Sequence, residues 1–237
     1  MRPQLVDRLP GALVVTKPAG LASETPRDPA ADSLVRRLSE LGHGDLRLVH
    51  RLDALACGLM LVATSRDAAA HYAGDIAARR WHKLYVARVS LPPAEAGALV
   101  GSHKAYLKID GRAARLVRAG GKPSFLDVLA TAPVVHGADD AHVLVRLHTG
   151  RFHQIRVMLA HLGAPLAGDA TYGGTMDARM YLEHVALGAY ADTSLAWTVW
   201  QAPPHAGRDP WSPQLEGAVA QAVLMARTAP PPRDPAP

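Results

Sequence analysis

The 237-residue chain is 49% hydrophobic, carries a formal charge of +5 with a pI of about 9.6, and contains one cysteine, Cys57. That length suits one large domain or two small ones, the apolar share excludes wholesale disorder, and a lone cysteine excludes an intramolecular disulfide or a cysteine-rich metal site. The basic balance favours a polyanionic partner, nucleic acid first, and the lack of an apolar leader or of a run near the ~20 residues of a membrane span points to a reducing cytoplasmic location without a membrane partner.

In chain order, GALVVTKPAG reads as a strand from Leu13 to Thr16 stopped by Pro18 and Gly20. DSLVRRLSELG reads as a helix with Asp32 as N-cap, Leu34, Val35, Leu38 and Leu41 on one face, and Gly42 as terminator. CGLMLVA is a continuous apolar run that suits a buried strand. TSRDAAAHYAGDIAARR reads as a helix, with Thr64 and Asp67 at capping-box spacing. KLYVARVS alternates, so Tyr85, Ala87 and Val89 share one strand face. Residues 92–102 read as loop. HVLVRLHTG is a further strand turning at Gly150, and FHQIRVMLAHLG has helical period with Gly163 as C-cap. Loop and irregular segments are expected after APLAGDATYGG, and a disordered proline-rich tail over 226–237. Strands outnumber helices without regular alternation. The expected fold is therefore mixed α/β (α+β), a largely antiparallel central sheet flanked by helices in one domain over residues 8–225.

Two stretches carry chemistry. In LVHRLDALACGLMLVA a charged tetrad interrupts an apolar run, and burying an unpaired carboxylate is costly. Asp53 is thus either half of a structural ion pair or a carboxylate kept ionised by a nearby guanidinium. In LHTGRFHQIRVMLAHLGAPLAGDATYGG, Arg151 falls at a strand-to-helix corner, where a side chain can reach a site. His153 and Arg156, on the polar side of the first helical turns, read as capping and surface residues. His148 and His153 lack an HExxH or HxH pattern, so no metal is expected. A metal-dependent hydrolase built on His148, His153 and His161 is the least supported function. HKAYLKIDGRAARLVRAGGK reads as a basic hairpin turning at Gly111, with Lys108, Arg112, Arg115 and Arg118 placed to grip a phosphate backbone. Arg79, Arg80 and Lys83 form a second basic cluster in sequence.

HRLDALACGLMLVA resembles the HRLDxxTSGL motif of the RluA family of RNA pseudouridine synthases. LHTGRFHQIRVMLAHLGAPLAGDATYGG is similar to that family's LxTGRxHQIRxHLxxxGxPxxGDxxYG motif. HKLYVARV resembles its KxYxAxV segment, and VVTKPAGL its strand-plus-KPxG opening. Order and spacing agree over residues 11–190, and the series is specific where a single motif would be weak.

The resemblance implies an isomerase that converts uridine to pseudouridine in rRNA or tRNA without cofactor or metal. It implies Asp53 as the catalytic carboxylate, Tyr85 as the aromatic packing on the target base, and Arg151 as the basic partner of Asp53. Arg51 becomes a candidate to fill the space left by an extracted nucleotide. Some members of the family carry an S4-like RNA-binding module before the catalytic domain, and none is expected here. A monomer is the default expectation. The chain departs from the pattern at Ala56-Cys57 (Thr-Ser in the motif), Phe152 and Met158. The first departure is what supports the alternative function, an RNA-binding protein on the same scaffold with weak or no catalysis.

Overall fold

A computed structural model describes residues 2–25, 31–136, 139–191, 196–205 and 207–231. In chain order the elements are β1 (Gln4–Leu9), β2 (Ala12–Lys17), α1 (Leu34–Glu40), β3 (Arg47–Leu48), β4 (Cys57–Ala63), α2 (Arg66–Ala77), β5 (His82–Val89), α3 (Pro93–Ala96), β6 (Gly101–Asp110), β7 (Ala113–Leu116), β8 (Lys122–Pro133), β9 (Ala141–Leu147), α4 (Gln154–His161), β10 (Leu182–Ala191), β11 (Ala196–Gln201) and α5 (Pro213–Thr228). The class is mixed α+β with a large, mostly antiparallel sheet, as expected. The chain divides into two compact units, one from Met1–His82, His184–Pro203 and Ala226–Pro237, the other from Lys83–Glu183 and Pro204–Met225.

In the first unit β2 pairs antiparallel with both β1 and β4, and its register sets Lys17 opposite Gly58. β3 also pairs with β4, and β10 pairs with β11. All seven residues of β4 are buried, which is why the run shows no alternation. Gly58 cannot be replaced: its φ is +108, and a Cβ there would lie 2.6 Å from the backbone nitrogen of His184. The core joins Ala12, Val14, Leu59, Leu61, Tyr72, Trp81, Leu187 and Trp200.

The second unit is an antiparallel run β5-β9-β8-β6-β7. The turn between β6 and β7 passes through Gly111 at φ +58, so the hairpin expected there is present. Helix α4 follows the end of β9 and buries Ile155, Met158 and Leu159.

Several expectations are corrected. α1 is capped by Ser33, whose side chain accepts from the Arg36 N–H, while Asp32 instead pairs with Arg37. The cap of α2 is Ser65, accepting from the Ala68 N–H, one residue beyond the expected Thr64. Ser at each site has the extended backbone that a cap requires. Strand β1 was not expected, and the region after residue 174 holds β10, β11 and α5 rather than irregular chain. β10 hides from a period-2 search because nine of its ten residues are buried, Glu183 and His184 among them. α5 continues to Thr228, and the end of the expected tail, 232–237, lies outside the described residues.

Candidate active site

Asp53 sits in the loop between β3 and β4, half-buried, with its neighbours fixed one by one. The Leu61 N–H donates to His50 Nε2 (2.9 Å), so His50 is pinned to the backbone of β4 with its other ring nitrogen carrying the proton. The Leu52 N–H donates to Ser23 Oγ (3.2 Å), and that hydroxyl donates back to the Leu52 carbonyl (2.8 Å). The Ala54 carbonyl accepts from the Gly20 N–H (2.8 Å) and from Lys17 Nζ (3.1 Å). The Ala56 N–H closes a turn onto the Asp53 carbonyl (3.1 Å). Ala56 and Cys57 are buried, so these positions demand small side chains. The backbone on both sides of Asp53 is therefore immobilised, an arrangement that holds one side chain in a defined place. Arg51 is exposed and pairs with Glu24 (2.7 Å).

Lys17 completes this loop. Its ammonium is buried and donates to the carbonyls of Pro18 (3.0 Å), Leu21 (2.7 Å) and Ala54. One cation thus binds the KPAG turn to the HRLD loop. Burial lowers its pKa to about 8, while the charges of Cys57 and Asp53 act in the opposite direction. The KPxG opening gave no hint that its lysine points inward.

Tyr85 and Arg151 belong to the second unit. Tyr85 is on β5, opposite Val145, and is 5% exposed. Lys83, two residues earlier, is 8% exposed, and its pKa is lowered to about 8 by burial and then by the charge of Arg151. Among the described residues it has no hydrogen bond and no carboxylate partner. Two cations held together without an anion form a site of stored positive potential, suited to a carboxylate or phosphate.

The Thr149-Gly150-Arg151 corner is knitted by Gln154, a buried residue that sequence reasoning missed. Its Oε1 accepts from the Arg151 N–H (3.0 Å) and from Thr149 Oγ1 (2.8 Å), and its Nε2 donates to the Phe125 carbonyl (3.0 Å). Arg151 Nε donates to the Pro123 carbonyl (3.3 Å). The buried polar group at the first turn of α4 was the available signal, since a glutamine there must be satisfied locally.

Arg156 is not a surface residue. It is buried and makes paired hydrogen bonds to Asp169, Nε to Oδ2 at 2.6 Å and Nη2 to Oδ1 at 2.7 Å. His153 begins α4 in the left-handed region (φ 53), stacks on Phe152 with ring centroids 3.8 Å apart, and shares a hydrogen bond between Nδ1 and the Tyr172 hydroxyl (2.9 Å). The same hydroxyl accepts from the Ala114 N–H on β7 (2.7 Å). Phe152, a departure from the motif, is thus packing for His153.

Lys108, Arg112, Arg115 and Arg118 are exposed on the hairpin and its exit, and Arg115 pairs with Asp110 (3.1 Å). The other basic cluster is dispersed in role. Arg79 is exposed, Arg80 is engaged by the buried Asp75 (3.1 Å), and Lys83 is inside. His148 Nε2 bonds Asp127 (2.7 Å), which also accepts from Ser102 (2.6 Å). Burial raises the Asp127 pKa, but these hydrogen bonds outweigh it and hold the carboxyl below its ordinary range. No helix among the described residues is long and apolar enough to cross a membrane.

The model of the RNA pseudouridylate synthase family matches residues 11–161. An uncharacterized RNA pseudouridine synthase of Chloroflexus aurantiacus is 33% identical over 210 residues, covering 79% of this chain and 61% of that protein. Ribosomal large subunit pseudouridine synthase D of Xanthomonas campestris is 34% identical, covering 69% and 50%. The dual-specificity RNA pseudouridine synthase RluA of Vibrio vulnificus is 32% identical, covering 68% and 65%. The chain therefore spans half to two thirds of the length of these relatives. Among solved structures, human RNA Pseudouridylate Synthase Domain Containing 1 is similar at a TM-score of 0.74 and 25% identity, over 98% of this chain and 97% of that one. With the family model covering residues 11–161 and a fold of the same kind, the chain belongs to the RNA pseudouridylate synthase family.

Proposed function

We propose that this protein isomerises uridine to pseudouridine in structured RNA, rRNA or tRNA, with Asp53 as its catalytic carboxylate. The observation that carries the reading is the Asp53 loop, in which Leu52 is fastened to the Ser23 hydroxyl and Ala54 to Lys17 and Gly20 of the KPAG segment. The reaction breaks the bond between N1 and C1′, turns the uracil, joins C5 to C1′, and moves the proton of C5 to N1. Cleavage leaves positive charge on the ribose, and an ionised carboxylate stabilises or traps it. A single carboxylate suffices because no water is activated and the base never departs. No cofactor or metal enters this scheme.

The target nucleotide leaves its stack at a cost of ~ a few kcal/mol. In this reading Tyr85 packs on the base and returns roughly 1–3 kcal/mol. Arg151 is the basic partner of Asp53, Arg51 fills the vacated space after exchanging Glu24 for RNA, and Lys83 supplies positive potential. Arg79, Lys108, Arg112, Arg115 and Arg118 hold phosphates, whereas Arg80 also serves Asp75. The catalytic domain is residues 8–225, acting as a cytoplasmic monomer.

The test is conversion of uridine in total RNA, mapped at nucleotide resolution. Asp53→Ala is expected to abolish conversion while melting like wild type. A folded Asp53→Ala protein with undiminished conversion would refute the role of Asp53.

A further inference from the structure

Aromatic residues make up only 5% of the chain, and among the described residues Tyr106 is the one aromatic that stands among the exposed large hydrophobics, at 39% exposure. Its hydroxyl has no hydrogen-bond partner among the described residues. A large apolar ring placed on a solvated strand without a partner for its polar end asks for a reason.

Its neighbours supply one. On β6 the exposed residues alternate as Ser102, Lys104, Tyr106 and Lys108, with Ala105 and Leu107 buried between them. Directly opposite on β8, Phe125 faces Lys104 and Pro123 faces Tyr106, and opposed residues of an antiparallel pair project to the same side. The ammonium of Lys104 sits 5.5 Å from the Tyr106 ring centroid and 5.7 Å from that of Phe125. Arg115 on β7 lies opposite Lys108 and extends the charge. At the other edge of this strip, the Pro123 carbonyl holds the guanidinium of Arg151. Two rings and a cation therefore stand on one open sheet face, one rung from the proposed catalytic arginine.

We infer that Tyr106 and Phe125, with Lys104 between them, form a stacking platform for unpaired RNA nucleotides flanking the target uridine. A duplex offers only phosphates to such a face, because its bases are stacked on each other. An unpaired strand offers both phosphates and π-faces, which is what alternating cations and aromatics recognise. The platform is sequence-tolerant and adds affinity for loops and bulges, the places where a uridine can be extracted at least cost.

This inference rests on RNA being the substrate, and its test separates the two. Binding of wild type, Tyr106→Ala and Tyr106→Phe is measured on an oligouridine dodecamer and on an RNA duplex of the same length, each at two salt concentrations. Tyr106→Ala is expected to weaken single-strand binding ~5- to 100-fold, to leave duplex binding unchanged, and to leave the salt slope unchanged, since no phosphate contact is lost. Tyr106→Phe retains wild-type affinity. Equal single-strand affinity of wild type and Tyr106→Ala, or an equal loss on both RNAs, overturns the platform alone. Wild type that binds neither RNA overturns the platform and the RNA reading together.

Discussion

Lys17 and Lys83 are both buried strand lysines whose pKa falls to about 8, yet they are housed in opposite ways. Lys17 donates to three carbonyl oxygens and has the Asp53 carboxylate as a nearby negative charge. Lys83 has no hydrogen-bonded partner among the described residues and faces a second cation, Arg151. Burial alone does not tell a structural cation from a functional one; the satisfaction of its donors does. By that criterion Lys17 is a fastening of the Asp53 loop, whereas Lys83 is the cation to which the proposed reaction assigns a functional charge.

Three measurements bear on this contrast. The largest effect is expected from Lys83→Met in the conversion assay, a loss of ~100-fold or more, since an electrostatic group in a desolvated site is worth several kcal/mol. Its urea midpoint should stay at or above that of wild type. A Lys83→Met protein that converts uridine normally would erase the distinction. Lys17→Met is expected to do the reverse in stability, losing about 2–4 kcal/mol as the Pro18 and Leu21 carbonyls are left without a donor and Ala54 keeps only the Gly20 N–H. Unfolding in urea reads this directly, and a loss below about 1 kcal/mol would make Lys17 a passenger.

The most gradual effect is a pH dependence of stability. Both lysines have folded pKa values depressed to about 8 from 10.5, so between those limits the unfolded chain binds more protons than the folded one. Stability from these groups therefore rises as pH increases from about 8 to 10.5, by up to about 3 kcal/mol each. The stability advantage of Lys83→Met over wild type should accordingly be present at pH 7 and shrink toward pH 10. A constant gap across that range would place Lys83 in water.

Much of this was legible in the sequence. The apolar run of β4, the alternation of β5 and the turn at Gly111 each obey a local rule, and the structure has all three. The position of Asp53 in a loop ahead of a buried strand was likewise readable from the charged tetrad. What escaped were properties decided by distant partners. Arg156 looked like a surface residue because its spacing put it on the polar side of α4, and only Asp169, thirteen residues on, makes its burial possible. Gln154 and Lys17 act through backbone carbonyls, which have no sequence signature. β10 lies inside the core on both faces, so neither period marks it, and α5 was hidden among prolines although Leu215, Val219, Ala222, Val223 and Ala226 repeat at helical spacing.

The hydroxyl of Tyr172 touches both β7 and His153, the residue that opens α4. A single phenolic oxygen thus joins the basic hairpin, three residues past its turn at Gly111, to the helix start two residues beyond Arg151. The hairpin strand and the start of α4 therefore hang on one shared oxygen, so Tyr172→Phe would cut both fastenings at once while removing a single atom.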